Sequence, residues 1–228
     1  MPLSDSDIDM RVPQLVVCDC DGVLVDSETI SNVVLARTLS ELGLPTTPAQ
    51  ARRDYQGLLL PDIGTRAAAK LGRPLPDDWS ERFERDRAVA FRSELKPVAG
   101  AAEAVRRIKA AGVPVCVASQ GKLEKTRMTL GLTGMRGMFA DEALFSAWTV
   151  PRGKPHPDLF LHAAASMGAE PADCAVVEDS PSGITAAVAA GMRAIGYTGD
   201  SDEGALRAAG AETTLSSLEQ LPALLGVA

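Results

Sequence analysis

Two histidines and four cysteines are all that 228 residues offer toward soft-metal chemistry. No pair among them has the spacing of a zinc site. Long apolar runs are missing as well, since none approaches the roughly 18 to 20 residues that a membrane span needs. A basic excess is also absent: 23 Lys+Arg stand against 30 Asp+Glu, a net charge of -7. That excludes non-specific nucleic-acid binding, which needs a basic face. The opening Met1 to Arg11 is polar and acidic, with no basic stretch leading into an apolar one. It is expected to be a short frayed tail and not a secretory signal. There is no internal repeat and no low-complexity tract.

What is present is the composition of a globular chain, 46% hydrophobic and 23% charged. Its length suits one large domain, or an ordinary core with a smaller insert. Cys18, Cys20, Cys116 and Cys174 each lie in or beside an apolar run, and read as reduced core thiols of a cytoplasmic protein. Leu15–Asp19, Val113–Ala118 and Cys174–Val177 are short apolar runs rich in β-branched residues, the pattern of fully buried strands. Arg193–Tyr197 and Leu144–Ser146 are weaker strands. Between them Ala101–Ala111 and Pro157–Met167 place apolar residues on one helical face, and Gly112 and Gly168 end them. Ser180-Pro181 is N-cap then first-turn chemistry for a helix to Ala190. This alternation predicts an α/β fold, a doubly wound parallel sheet with helices on both sides.

Residues 28–96 break the alternation. Glu28–Leu42, Asp62–Leu71 and Asp78–Glu94 are helical patterns with no convincing strand among them. The simplest organisation is a catalytic core of residues 10–27 plus 97–228, with residues 28–96 inserted as a helical cap. The cap is also less acidic, with eleven basic against ten acidic side chains, as would suit a lid over an anion site.

In an open parallel sheet, ligands bind at the carboxyl ends of the strands. The first strand runs into Asp19-Cys-Asp21-Gly22, the second ends at Ser119-Gln-Gly121, and a later one ends at Glu178-Asp179-Ser180. Lys154 lies in the loop before Pro157. Four carboxylates converging there would repel one another, and some would protonate. A divalent cation resolves this, and hard oxygen donors without histidine or cysteine favour Mg2+.

Asp19-Cys-Asp-Gly-Val-Leu-Val-Asp26-Ser27 resembles the first motif of the haloacid dehalogenase-like hydrolase superfamily. Ser119 matches its second motif, Lys154 in Gly-Lys-Pro-His-Pro-Asp its third, and Glu178-Asp179-Ser-Pro-Ser-Gly183 its fourth. The resemblance implies a Rossmann-like core and a Mg2+-dependent phosphatase that works through a phosphoaspartate. By that resemblance Asp19 is the nucleophile, ionised without help at an ordinary pKa near ~3.9. Asp21 is the general acid and then the base, which asks for a pKa raised by carboxylate crowding. Ser119 and Lys154 hold the phosphoryl oxygens. Mg2+ is held by Asp19, the Asp21 backbone carbonyl and Asp179, with Glu178 in support through water. Gln120, Lys122, Gly57 and Leu58 are expected substrate contacts. Asp26 and Ser27 read as turn and hinge residues, His156 as an exposed loop residue, and Trp148 as core packing.

The implied substrate is a small phosphate ester such as phosphogluconate, a hexose phosphate or phosphoglycolate. No nucleic acid or membrane partner is expected, and the chain should be a monomer, with a dimer as the alternative. Asp21 disfavours the dehalogenase and phosphonate-cleaving branches, which do without it. The rival within the family is a sugar phosphomutase resembling β-phosphoglucomutase. Such enzymes carry a His where Ser31 stands and an Arg beyond the cap glycine, where Leu58-Leu59-Leu60 follows Gly57 here. A non-catalytic binding domain of the same fold is a further alternative, against which the complete motifs argue.

Overall fold

The computed structural model describes residues 11–227. The expected tail before Arg11, and Met10 as the start of the expected core, lie outside the described residues. The chain enters with β1 (Leu15–Cys18) and passes through helices α1 (Glu28–Glu41), α2 (Pro48–Tyr55), α3 (Leu60–Leu71) and α4 (Trp79–Glu94). It then alternates through α5 (Ala101–Ala110), β2 (Val115–Ser119), α6 (Leu123–Leu132), β3 (Leu144–Ser146) and α7 (Asp158–Ser166). It ends with β4 (Cys174–Glu178), α8 (Pro181–Ala189), β5 (Arg193–Tyr197), α9 (Glu203–Ala208), β6 (Thr213–Leu215) and α10 (Leu221–Leu224).

The strands form one parallel sheet in the order β3-β2-β1-β4-β5-β6. Every residue of β1, β2 and β4 is buried, which is why these strands read as unbroken apolar runs. Leu15 and Val17 share a face with Cys116, Ala118, Cys174 and Val176, and helices α7 and α8 pack Leu159, Phe160, Ala163, Ile184 and Ala187 into the same cluster. β2 begins two residues later than the run suggests. Pro114 has no N–H to give a ladder, and the Val113 N–H is committed to Ile108 O.

Two features of the sheet position the chemistry. The first is the reversal of strand order at β1 and β4: from β1 the chain goes on to β2 on one side, while β4 leads to β5 and β6 on the other. That crevice is where ligands of such sheets bind. The second is register. Cys18 pairs with Val177 on one side and Val117 on the other, so Asp19 emerges level with Glu178 and one residue short of Ser119.

The described residues divide into two compact units, one gathering those up to Leu24 with those from Pro97 onward, the other Val25–Lys96. The second unit is built of α1–α4 with no strand in residues 28–96. It has its own apolar cluster, with Leu35, Leu39, Tyr55, Ile63, Trp79 and Phe83 at its centre. Gly64 makes room for Trp79, since a Cβ there would lie 2.9 Å from the indole. Helix α2 lacks the apolar periodicity of its neighbours, but a capping box of Thr47 and Gln50 with Pro48 in the first turn starts it.

All four cysteines are free and buried. Burial pushes the Cys18 thiol up to about 12 and Cys174 up to about 11, and raises Cys20 and Cys116 as well, so none is a reactive thiolate. Among the described residues no helix is long and apolar enough to cross a membrane.

Helix α7 offers a test of where the core lies. Leu159 is fully buried and Leu161 is 39% exposed. Leu159→Ala should lower unfolding free energy by about 2–5 kcal/mol, and Leu161→Ala by well under about 1 kcal/mol. Equal shifts in urea midpoint would contradict the packing described.

Candidate active site

The site is built around one buried ammonium. Lys154 Nζ donates to Asp19 Oδ1 at 2.6 Å, to the Ala118 carbonyl at 3.1 Å and to Glu178 Oε1. Asp19, Lys154, Glu178 and Asp179 are all less than a tenth exposed. Asp19 is set by the sheet itself, its N–H donating to Val177 O at 2.9 Å. Glu178 is held from its other side, where Oε2 accepts from the Ser180 N–H and hydroxyl at 2.9 Å each. Ser180 also caps α8, accepting from the Gly183 N–H at 3.1 Å.

One carboxylate oxygen from each of Asp19, Glu178 and Asp179 falls within 4.8 Å of the others. Lys154 pairs with two of these three, Asp19 and Glu178. A donor set of carboxylate oxygens suits a hard divalent cation. The crowding is felt at Asp19. Burial raises its pKa to about 7, Glu178 and Asp21 push the same way, and Lys154 opposes them. The side-chain type alone suggests a carboxylate ionised well below neutral pH, and burial of Asp19 works against that. Burial pulls Lys154 down, but Asp19 and Glu178 outweigh that and hold it above the usual lysine value. Burial is the main reason Asp19 shifts upward, and two carboxylate partners are the reason Lys154 does.

Two glycines exist to admit these carboxylates. A Cβ on Gly183 would come within 2.0 Å of the Glu178 carboxylate, and one on Gly22 within 2.2 Å of Asp179 Oδ2. Gly22 also adopts a φ of +82°, which glycine alone enters without strain.

β2 ends at Ser119, whose hydroxyl accepts from the Gly121 N–H at 3.0 Å and lies 3.4 Å from Asp21 Oδ2. The Lys125 ammonium from the first turn of α6 pairs with Asp21 Oδ1. Sequence reasoning weighed a helix start at Lys122 but did not single out Lys125, three residues on, whose place in the first turn of α6 brings it to the β2 end. Gln120 does not present its amide to open space: Oε1 accepts from the Lys154 N–H at 3.1 Å and Nε2 donates to the Lys154 carbonyl at 3.3 Å.

Trp148 corrects the sequence reading. It is 48% exposed and so does not pack the core. The Lys122 ammonium lies 5.1 Å from its ring centroid, a cation held over an aromatic face. His156 is exposed, as expected. Asp26 is exposed with its N–H donating to Lys96 O, and Ser27 is buried just before α1. Gly57 and Leu58 belong to the other unit. Gly57 makes the turn after α2 at φ +77°, and Leu58 packs against that unit's apolar cluster.

Helix propensity favours alanine over glycine by about 1 kcal/mol, so Gly183→Ala in α8 should stabilise if local preference ruled. Intrusion on Glu178 should instead destabilise it by about 1–3 kcal/mol. Gly137→Ala, where nothing lies within 4 Å of an added Cβ, should be near neutral. Thermal melts of the two variants decide the matter, and a stabilised Gly183→Ala would contradict the cradle.

Comparison with known proteins agrees with this geometry. The profile of the haloacid dehalogenase-like hydrolases matches residues 13–191. The chain is 32% identical over 212 residues to the 6-phosphogluconate phosphatase of Escherichia coli (strain K12), covering 92% of this chain and 94% of that one. It is 32% identical over 215 residues to hexitol phosphatase B of the same organism, covering 92% and 96%. Among solved structures, a haloacid dehalogenase family hydrolase from Deinococcus radiodurans R1, with bound phosphate and sodium, superposes with a TM-score of 0.76. That pair is 31% identical, with 94% and 95% of the two chains covered. The matched region contains all the strand ends that bear the buried charges, and the chain belongs to the haloacid dehalogenase-like hydrolases, among relatives that are phosphoric monoester hydrolases.

Proposed function

We propose that this protein is a Mg2+-dependent phosphatase that transfers the phosphoryl group of a small metabolite, a sugar phosphate or related ester, to Asp19 and then to water. The observation that carries the reading is the convergence of Asp19, Glu178 and Asp179 around Lys154 at the β1/β4 crevice. The substrate class is supported by relatives named for 6-phosphogluconate and hexitol phosphates.

The chemistry follows from the chain's own groups. An Asp19 carboxylate oxygen attacks phosphorus as the ester bond to the leaving oxygen breaks. Asp21, held in place by Lys125 and beside Ser119, gives its proton to the departing alkoxide. The same carboxylate then takes a proton from water as that water attacks phosphorus and frees Asp19. Lys154 moves its charge from Asp19 to the phosphoryl oxygens, and the Ser119 hydroxyl donates to them, as negative charge shifts in the transition state. A magnesium ion held by Asp19, Asp179 and the Asp21 carbonyl, with Glu178 in support, would neutralise the carboxylates and the approaching phosphate. Burial of these groups strengthens each of these interactions.

In this reading the Val25–Lys96 unit is the cap and sets substrate preference through residues about Gln56, Gly57 and Leu58, while the core handles any phosphate. The mutase alternative is disfavoured because Leu58 and Leu60 pack against an apolar cluster where a second phosphate would need a cation.

Asp19→Asn should abolish phosphate release from p-nitrophenyl phosphate, and beryllium fluoride should label the wild type but not the variant. Comparable rates in the two proteins would remove Asp19 as nucleophile. Proton and metal compete for Asp19. Since its pKa is raised to about 7, it is largely protonated below that pH and ionised above. Mg2+ affinity measured calorimetrically should therefore fall as pH is lowered from about 8 to about 6, approaching tenfold per unit at the acid end. Affinity unchanged over that range would show that Asp19 does not face this competition.

A further inference from the structure

We infer that Gln120 is a positioning residue, a clamp that fuses the end of β2, which bears Ser119, to the loop bearing Lys154, and that its amide does not serve as a substrate contact. The inference rests on the phosphatase reading above, in which those two side chains act on the same phosphoryl oxygens.

A glutamine side chain offers one acceptor and one donor group side by side. That arrangement is the complement of a single residue's peptide N–H and C=O. Gln120 uses it so: Oε1 takes the Lys154 N–H at 3.1 Å and Nε2 gives to the Lys154 carbonyl at 3.3 Å. The two residues are 34 apart in sequence, so nothing local holds these two segments in register.

A second observation points to the same clamp from the opposite side. Gly153 precedes Lys154, and a Cβ there would lie 2.8 Å from Gln120 Oε1 and 2.9 Å from Nε2. No left-handed φ is recorded at Gly153, so the space taken by the amide, and not a strained backbone, is what calls for glycine. A third observation fixes the base of the clamp. The Ser146 hydroxyl at the end of β3 donates to the Gly121 carbonyl at 2.7 Å and accepts from the Trp148 N–H at 3.2 Å. The Gly121 N–H in turn holds the Ser119 hydroxyl at 3.0 Å. Gln120 thus stands between two residues whose backbones are tied down, and it passes that rigidity to Lys154. The ammonium's reach to Asp19 and the direction of the Ser119 hydroxyl are set as one unit.

A misplacement of about 1 Å in such a group can cost on the order of 100-fold in rate. Gln120→Leu removes both hydrogen bonds, and Gly153→Ala displaces the amide without altering Gln120. Each should lower kcat by about 10- to 100-fold on both p-nitrophenyl phosphate and 6-phosphogluconate, with KM within about threefold of wild type. Because the clamp acts through Lys154, adding Gln120→Leu to Lys154→Met should cost less than about twofold more. All assays use the full chain with saturating Mg2+, and melting curves identify any variant that has lost its fold. Should Gln120→Leu fail to fold, Gly153→Ala alone and combined with Lys154→Met carries the test.

A loss on 6-phosphogluconate more than tenfold larger than on p-nitrophenyl phosphate would overturn the inference in favour of a substrate contact. So would losses that multiply in full in the double variant, or wild-type kcat in both Gln120→Leu and Gly153→Ala while Lys154→Met is crippled. A wild-type rate in Lys154→Met itself would be a different failure, since it would overturn the phosphatase reading and the clamp with it.

Discussion

The Lys154 ammonium, enclosed between Asp19 and Glu178, is the constraint on which the rest of the site depends. A buried cation is costly unless its partners are placed for it, and here three separate chain segments are arranged to supply them. β1 delivers Asp19, β2 delivers the Ala118 carbonyl, and β4 delivers Glu178. The sheet's register makes this possible, since the three strands end within a residue of one another. Remove the lysine, and the buried carboxylates of Asp19 and Glu178 lose the cation they share. Asp19 and Lys154 both shift upward, the acid chiefly because it is buried and the lysine because it answers to two acids.

Much of this was legible in the sequence, and for a physical reason. Strands buried on both faces must be apolar throughout, so the first polar residue after each run marks the carboxyl edge. Asp19, Ser119 and Glu178-Asp179 announce themselves in that way, and the parallel sheet follows from the helices between. β6 escaped notice because two of its three residues are threonines, Thr213 and Thr214, so it does not stand out as apolar in the way Leu144-Phe145 does. The extents of α2 and α6 escaped because their buried residues are few and partly polar, Ala51 and Tyr55 in one, Thr126, Thr129 and Leu130 in the other.

Other features could not be read from one dimension at all. Gly183 looks like an ordinary small residue in the first turn of a helix until the Glu178 carboxylate is found where its Cβ would be. Gln120 looks like a polar residue next to Ser119 at a strand end, and so like a substrate contact. Only the fold reveals that Lys154, far along the chain, brings its peptide group to that amide. Trp148 misled in the opposite direction. A large aromatic is usually core, but the turn after β3 leaves it nearly half exposed, beneath the Lys122 ammonium.

The Val25–Lys96 unit encloses an apolar cluster of its own, from Leu35 and Leu39 to Trp79 and Phe83. A cluster of this kind tolerates exchanges that keep its total volume, so its residues can drift in sequence while the helices around them hold their fold.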